Sequence, residues 1–277
     1  MNENLGIVLS GGGVRGVAHI GLLQALSENN VHPQVISGTS AGAFVGALYA
    51  AGYGAAEMLT FFKTTPLFGF SFYATTKPGL LDSEKYRQFF EQYFPEDSFS
   101  ALDKRLFIGA TDIANARGVL FEEGALIRPL LASAALPPLF TPVEIDNKLY
   151  VDGGIMDNFP VEPLTYECTR IIGSYVNPVS KLSKKYFTNS AKVFRRAADL
   201  RLYADSQFKF SQCEYVFEPQ ALSKFGLLDT KQIDTIYNIS YEAACRDMEM
   251  ILKAIEQPKK PVEPFEPNQE WGTFSLN

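Results

Sequence analysis

The sequence predicts a single-domain α/β fold, a three-layer sandwich with a mostly parallel central sheet and helices on both faces. Three observations carry this expectation. Short β-branched apolar runs alternate with helical stretches through the first half of the chain, the mark of βαβ units. Two glycine-rich turns each stand between a strand and a helix. No repeat or linker divides residues 1–256, so one domain accounts for them, with 257–277 as a proline-rich tail (Pro258, Pro261, Pro264, Pro267).

Taken in order, residues 5–10 (Leu-Gly-Ile-Val-Leu-Ser) read as a buried strand. Residues 14–30 carry Val17, Ile20, Leu22 and Ala25 at helical spacing and should pack on that strand. Residues 34–37 make a second strand, and the small residues of 41–51 a close-packing helix. A capped helix is expected over 83–94 and a third strand over 105–110. Residues 143–151 read as a hairpin turning at Asp146-Asn147. Residues 170–176 and 214–217 supply further strands, and helical patterns fill 189–213 and 230–256.

Composition excludes several classes. Of 277 residues, 46% are hydrophobic and 20% charged, at a net charge of -6, so the chain is neither disordered nor collagen-like. The acidic balance gives no reason to expect a nucleic-acid partner. No apolar run reaches the roughly 18 residues of a spanning helix, and Met1-Asn2-Glu3-Asn4 gives no secretory signal. Cys168, Cys213 and Cys245 are too far apart for a zinc motif and odd in number. Free thiols and a cytoplasmic location follow as expectations, with peripheral contact to membranes left open.

The first glycine turn, Ser10-Gly11-Gly12-Gly13-Val14-Arg15-Gly16, contains G-x-G-x-x-G. A dinucleotide site would want an acid at the end of the second strand, where Ser37-Gly38-Thr39-Ser40 stands instead, so no nucleotide is expected. The alternative is an oxyanion cradle of backbone N–H groups at a helix N-terminus. A plain tight turn for helix–strand packing is the bland reading. Arg15, at the wrong end of the helix dipole, wants an anion or acceptor nearby.

The second turn, Gly38-Thr39-Ser40-Ala41-Gly42, is a G-x-S-x-G sequence in strand–turn–helix context, which would expose Ser40 as a nucleophile. The only histidines, His19 and His32, precede Ser40 and read as packing or surface residues. The order Ser…Asp…His is therefore unavailable, and the base should be a carboxylate or lysine. Asp152, after a strand and before Gly153-Gly154, is the best candidate; Asp112 competes less well, and a loop cap is the alternative role for Asp152.

Together these residues resemble the patatin-like phospholipase family, which combines a G-G-G-x-R/K-G loop, a G-x-S-x-G serine and a D-G-G/A aspartate. All three stand here in family order, and residues 132–142 and Asp157-Asn158-Phe159-Pro160 also look like family segments. The resemblance covers about residues 5–176. It implies an acyl hydrolase with a Ser40–Asp152 dyad, an oxyanion hole from the N–H groups of Gly11, Gly12, Gly13 and Ala41, and Arg15 organising the loop. Gly16, Gly38, Gly42, Gly153 and Gly154 would support it. It implies a lipid ester substrate, met at a membrane surface or in solution, and no cofactor or metal. A generic carboxylesterase or acyltransferase, and a vestigial lipid-binding protein, are the alternatives. The last hundred residues carry no family function on this reading. An aromatic cluster at 61–62 and 67–73 would flank an acyl site or form a mini-core under a loop. A basic stretch from Lys181 to Arg201 would be a solvated helix face or a headgroup contact.

Overall fold

The computed structural model describes residues 4–65 and 78–256. The elements run β1 (Leu5–Leu9), α1 (Val17–Glu28), β2 (Val35–Thr39), α2 (Ala41–Ala50), α3 (Ala55–Thr64), α4 (Arg87–Glu91), β3 (Arg105–Asp112) and β4 (Arg117–Phe121). They continue with α5 (Ile127–Ser133), β5 (Val143–Ile145), β6 (Lys148–Asp152), α6 (Glu162–Glu167), β7 (Arg170–Ser174), α7 (Ser190–Gln207), β8 (Tyr215–Phe217) and α8 (Ile233–Glu256).

The sheet has eight strands in the order β5–β6–β3–β2–β1–β7–β8, with β4 also on β3. Its β-branched strands are buried on both faces, and their residues alternate between two cores. Ile7, Leu9, Ile36, Ile108 and Ile172 face the α1, α2 and α8 side. Val8, Val35, Phe107 and Ile171 face a smaller core with Phe159, Leu164 and Tyr175. Helices on both faces thus follow from a period of two in the strands. On the larger side α8 crosses α1 closely enough that a Cβ on Gly21 would strike the α8 backbone.

The sheet is mixed, with parallel pairs in the majority. The pairs β1–β2, β1–β7, β2–β3 and β7–β8 are parallel, whereas β3–β4, β3–β6 and β5–β6 are antiparallel. Tight turns rather than crossover helices join β3 to β4 and β5 to β6, and a tight turn can only return the chain antiparallel. The β5–β6 turn has Asp146 and Asn147 both at positive φ (49° and 59°), where short polar side chains are tolerated.

Two helices are shorter than their patterns suggest. The stretch after the first strand opens as a 3₁₀ turn over Gly13–Gly16 before α1, and the 83–94 segment as a 3₁₀ turn over Ser83–Tyr86 before α4. The basic stretch lies largely on α7, where Arg195 and Arg201 pair with Asp199 and Asp205 one turn on. Most of that helix is exposed. Residues 67–73 and the tail 257–277 lie outside the described residues. Among the described residues no helix is long and apolar enough to cross a membrane.

Candidate active site

Strand pairing brings the two halves of the site together. β2 runs parallel to β3 and stops at Thr39, opposite Gly109. β6 runs the other way along the same edge and stops at Asp152, opposite Ala110. That both use one edge follows from β4, which occupies the other at Ile108–Asp112. The strands therefore end head to head, and the residues that leave them, Ser40 and Asp152, face one another. A Cβ on Gly153 would strike the Gly109 carbonyl and Thr39, so only glycine lets the chain turn out there.

Ser40 occupies φ 54°, ψ -123°, a conformation L residues rarely hold. The turn is held from both sides. A Cβ on Gly42 would run into the Leu9 and Ser10 carbonyls, and one on Gly38 into the Gly42 backbone. The Ser40 N–H donates to Ser133 Oγ (2.8 Å), whose hydroxyl donates to the Gly109 carbonyl (2.6 Å). This buried serine from α5 ties the turn to β3. Ser133→Ala removes both bonds at once and should cost about 2 kcal/mol, measured by chemical denaturation.

Asp152 is buried, and its Oδ1 accepts the Gly154 N–H (2.7 Å). Burial raises its pKa from 3.8 to about 6, against hydrogen bonds from Gly154 and the Ser40 side chain that lower it. A carboxylate so placed holds a proton far more readily than an exposed one while remaining ionised at neutral pH. Asp112 is engaged elsewhere, accepting from Asn115 and pairing with Arg117.

The glycine loop lies beside Ser40. Its backbone is fixed by Ser10 N–H to the Ser174 carbonyl (3.0 Å) and by Asn158 and Asn177 side-chain amides donating to the Gly11 carbonyl. The Gly11 N–H itself donates to the Asn158 carbonyl (3.2 Å). This corrects the expected donor set, because that N–H is spent on the fold. The remaining expected donors, Gly12, Gly13 and Ala41, have no hydrogen-bond acceptor among the described residues. Ala41 opens α2, where the first N–H groups have no helical partner and the dipole favours negative charge. Gly13 sits at φ 56°, and a Cβ there would collide with the Leu227 carbonyl.

Arg15 turns away from Ser40. Its guanidinium is buried, donating to the Phe225 carbonyl (3.0 Å) and Asn177 Oδ1 (3.2 Å), with Asp199 at 3.9 Å. The acceptors the sequence calls for are therefore supplied by the fold. Gly16 packs on Ala41, and Gly154 leaves space for Asn158. His19, read from sequence as a packing or surface residue, is fully buried between Ser174 Oγ (2.7 Å) and the Ser10 carbonyl (2.9 Å). Burial pulls its pKa to about 4, so it is neutral, with Nε2–H donating to the carbonyl and Nδ1 accepting the hydroxyl. His32 is exposed.

Ser40, Ala41, Gly13 and Asp152 open into one cleft of about 850 Å³, counting the solvent space at its mouth. Its walls are largely apolar, with Phe44, Phe62, Phe90, Leu131 and Phe140 among them. Leu227, Leu228, Thr230 and Ile233 also line it. Of the aromatic cluster, Phe61 and Phe62 are buried in α3, and Phe62 reaches the cleft. The sequence held little sign of Asn177 or residues 225–233, and Ser133 stood within the family-like segment 132–142 without its role being marked. Asn158 was marked by its place before Phe159-Pro160, but not its role. Among the described residues no cluster of metal-ligating side chains occurs.

The family model described as patatin-like phospholipase matches residues 7–165. The chain is 31% identical over 166 residues to the lysophospholipase NTE1 of Debaryomyces hansenii, covering 58% of this chain and 11% of that protein. It is 34% identical over 168 residues to an uncharacterized NTE family protein of Mycobacterium bovis, covering 59% of this chain and 46% of that one. The chain thus spans about a tenth of the length of the first relative and under half of the second. Among solved structures, VipD from Legionella pneumophila superposes with a TM-score of 0.53 at 14% identity, over 90% of this chain and 67% of that one. That likeness is one of fold.

Proposed function

Because this chain belongs to the patatin-like phospholipase family, we propose that it is a serine acyl hydrolase cleaving fatty-acyl esters of lipids through Ser40 and Asp152. The observation that carries the reading is a buried carboxylate of raised proton affinity facing a strained serine at the floor of an apolar cleft.

Ser40 Oγ attacks the ester carbonyl while Asp152 takes its proton. The carbonyl oxygen becomes an oxyanion that accepts from the N–H groups of Gly12, Gly13 and Ala41. Collapse expels the alcohol, which recovers the proton from Asp152 and leaves Ser40 acylated. Water then attacks the acyl-enzyme with Asp152 again as base, releasing the fatty acid. Arg15 and His19 hold the glycine loop in place and do not meet the substrate. The apolar lining favours hydrocarbon chains over the small soluble esters of a generic esterase.

Covalent labelling by a fluorophosphonate tests this. We expect a single adduct on the peptide carrying Ser40, with a labelling rate that rises with pH and is half-maximal near pH 6 as Asp152 ionises. No adduct at Ser40, or a rate independent of pH between 5 and 8, would sink the dyad.

A further inference from the structure

We propose that residues 225–233, which lie beyond the family-model match, form the wall of the cleft that sets acyl-chain length, and that Arg15 is the latch fixing this wall to the glycine loop. The inference rests on the acyl-hydrolase reading and adds the element that selects the chain.

Leu227, Leu228, Thr230 and Ile233 line the same cleft as Ser40 and Asp152. Thr230 is the sole polar side chain among them, so the face they present suits hydrocarbon rather than a charged headgroup. Ile233 is buried at the start of α8, whereas Leu228 is half-exposed at the mouth. Ile233 is thus the enclosed end of this wall and Leu228 its exposed end.

The wall is tied to the oxyanion loop by backbone contacts. The Val14 N–H donates to the Leu227 carbonyl (2.8 Å), and Gly13 lies so close that a Cβ would overlap that carbonyl. Arg15 Nε donates to the Phe225 carbonyl (3.0 Å), which also accepts from Arg195 Nη2 (3.0 Å). Asp229 closes the turn by accepting the Gly226 N–H. Arg15 also holds Asn177, whose amide donates to the Gly11 carbonyl. One buried guanidinium therefore joins the strip that shapes the cleft to the strip that offers Gly12 and Gly13. Arg15 is in this sense a positioning residue.

The test compares kcat/KM for dodecanoyl and butanoyl 4-nitrophenyl esters, both below their aggregation limits and free of any lipid headgroup. Leu228→Trp should lower the long-to-short ratio roughly tenfold or more by filling the mouth, and Leu228→Ala should change it severalfold the other way. Because Leu228 is 51% exposed, neither change disturbs the core. Arg15→Lys keeps the charge but cannot bond Phe225 and Asn177 together. It should raise KM for the long ester more than for the short one, whereas a merely structural role would lower both rates in proportion. A ratio within twofold of wild type in both Leu228 variants overturns the wall assignment and leaves the acyl-hydrolase reading standing. A shifted ratio in those variants with an unshifted one in Arg15→Lys overturns the latch alone. A wild-type chain that hydrolyses none of these esters overturns both the wall and the reading beneath it.

Discussion

Ser40→Ala should lower ester turnover by about 10⁴-fold or more, measured as steady-state hydrolysis of a short 4-nitrophenyl ester, because it removes the atom that bonds the acyl group. The fold should survive. The Ser40 N–H to Ser133 bond is made by the backbone, and alanine has the same difficulty as serine at φ 54°. Ser40→Gly separates chemistry from strain. It should be equally inactive yet about 1 kcal/mol more stable than the alanine variant, since glycine adopts this conformation freely. Equal stabilities would mean that the turn stores no strain.

Asp152→Asn should reduce kcat/KM by about 10³-fold or more, as an amide cannot accept the serine proton. Its effect on stability should have the opposite sign. The unfolded carboxyl titrates near 3.8 and the buried one near 6, so folding takes up a proton between those values. The resulting advantage is fully present below pH 3.8 and is lost as pH rises through 6. At pH 8 the buried charge costs about 3 kcal/mol, and asparagine, still able to accept the Gly154 N–H, avoids that cost. The variant should therefore melt several degrees above wild type at pH 8, with the gap closing toward pH 4. A variant less stable than wild type at pH 8 would show that the carboxylate is not held against its solvation.

The strands and both glycine turns were legible because each announces itself locally. A short continuous apolar run marks a strand buried on both faces, and glycine pairs mark places where a backbone comes too near for a side chain. The β5–β6 turn at Asp146-Asn147 could be placed to the residue for that reason. β4 was missed because Gly118 breaks its pattern and much of Arg117–Phe121 is exposed or half-exposed, leaving little periodicity to read. The contacts that decide the site are not local at all. Whether the Gly11 N–H faces a substrate depends on the carbonyl of Asn158, and the acceptor for Arg15 lies 210 residues downstream. Residues 225–233 carry no motif, and their part in the cleft comes from where α8 begins. His19 looked like packing because no pattern in sequence distinguishes a filler from a brace between two strands.

The meeting of β2 and β6 on one edge of β3 has a consequence for how this site stays aligned. Thr39, which carries the chain into Ser40, and Asp152 stand at adjacent rungs of a hydrogen-bonded ladder, Gly109 and Ala110. Their spacing is therefore a dimension of the scaffold, much as the gap of a caliper is set by its beam. The pair is true to gauge as soon as the sheet exists, whether or not a ligand has arrived. By the same token, slipping β6 by one residue would carry the carboxylate to the opposite side of the sheet, so the machine has almost no play at this joint.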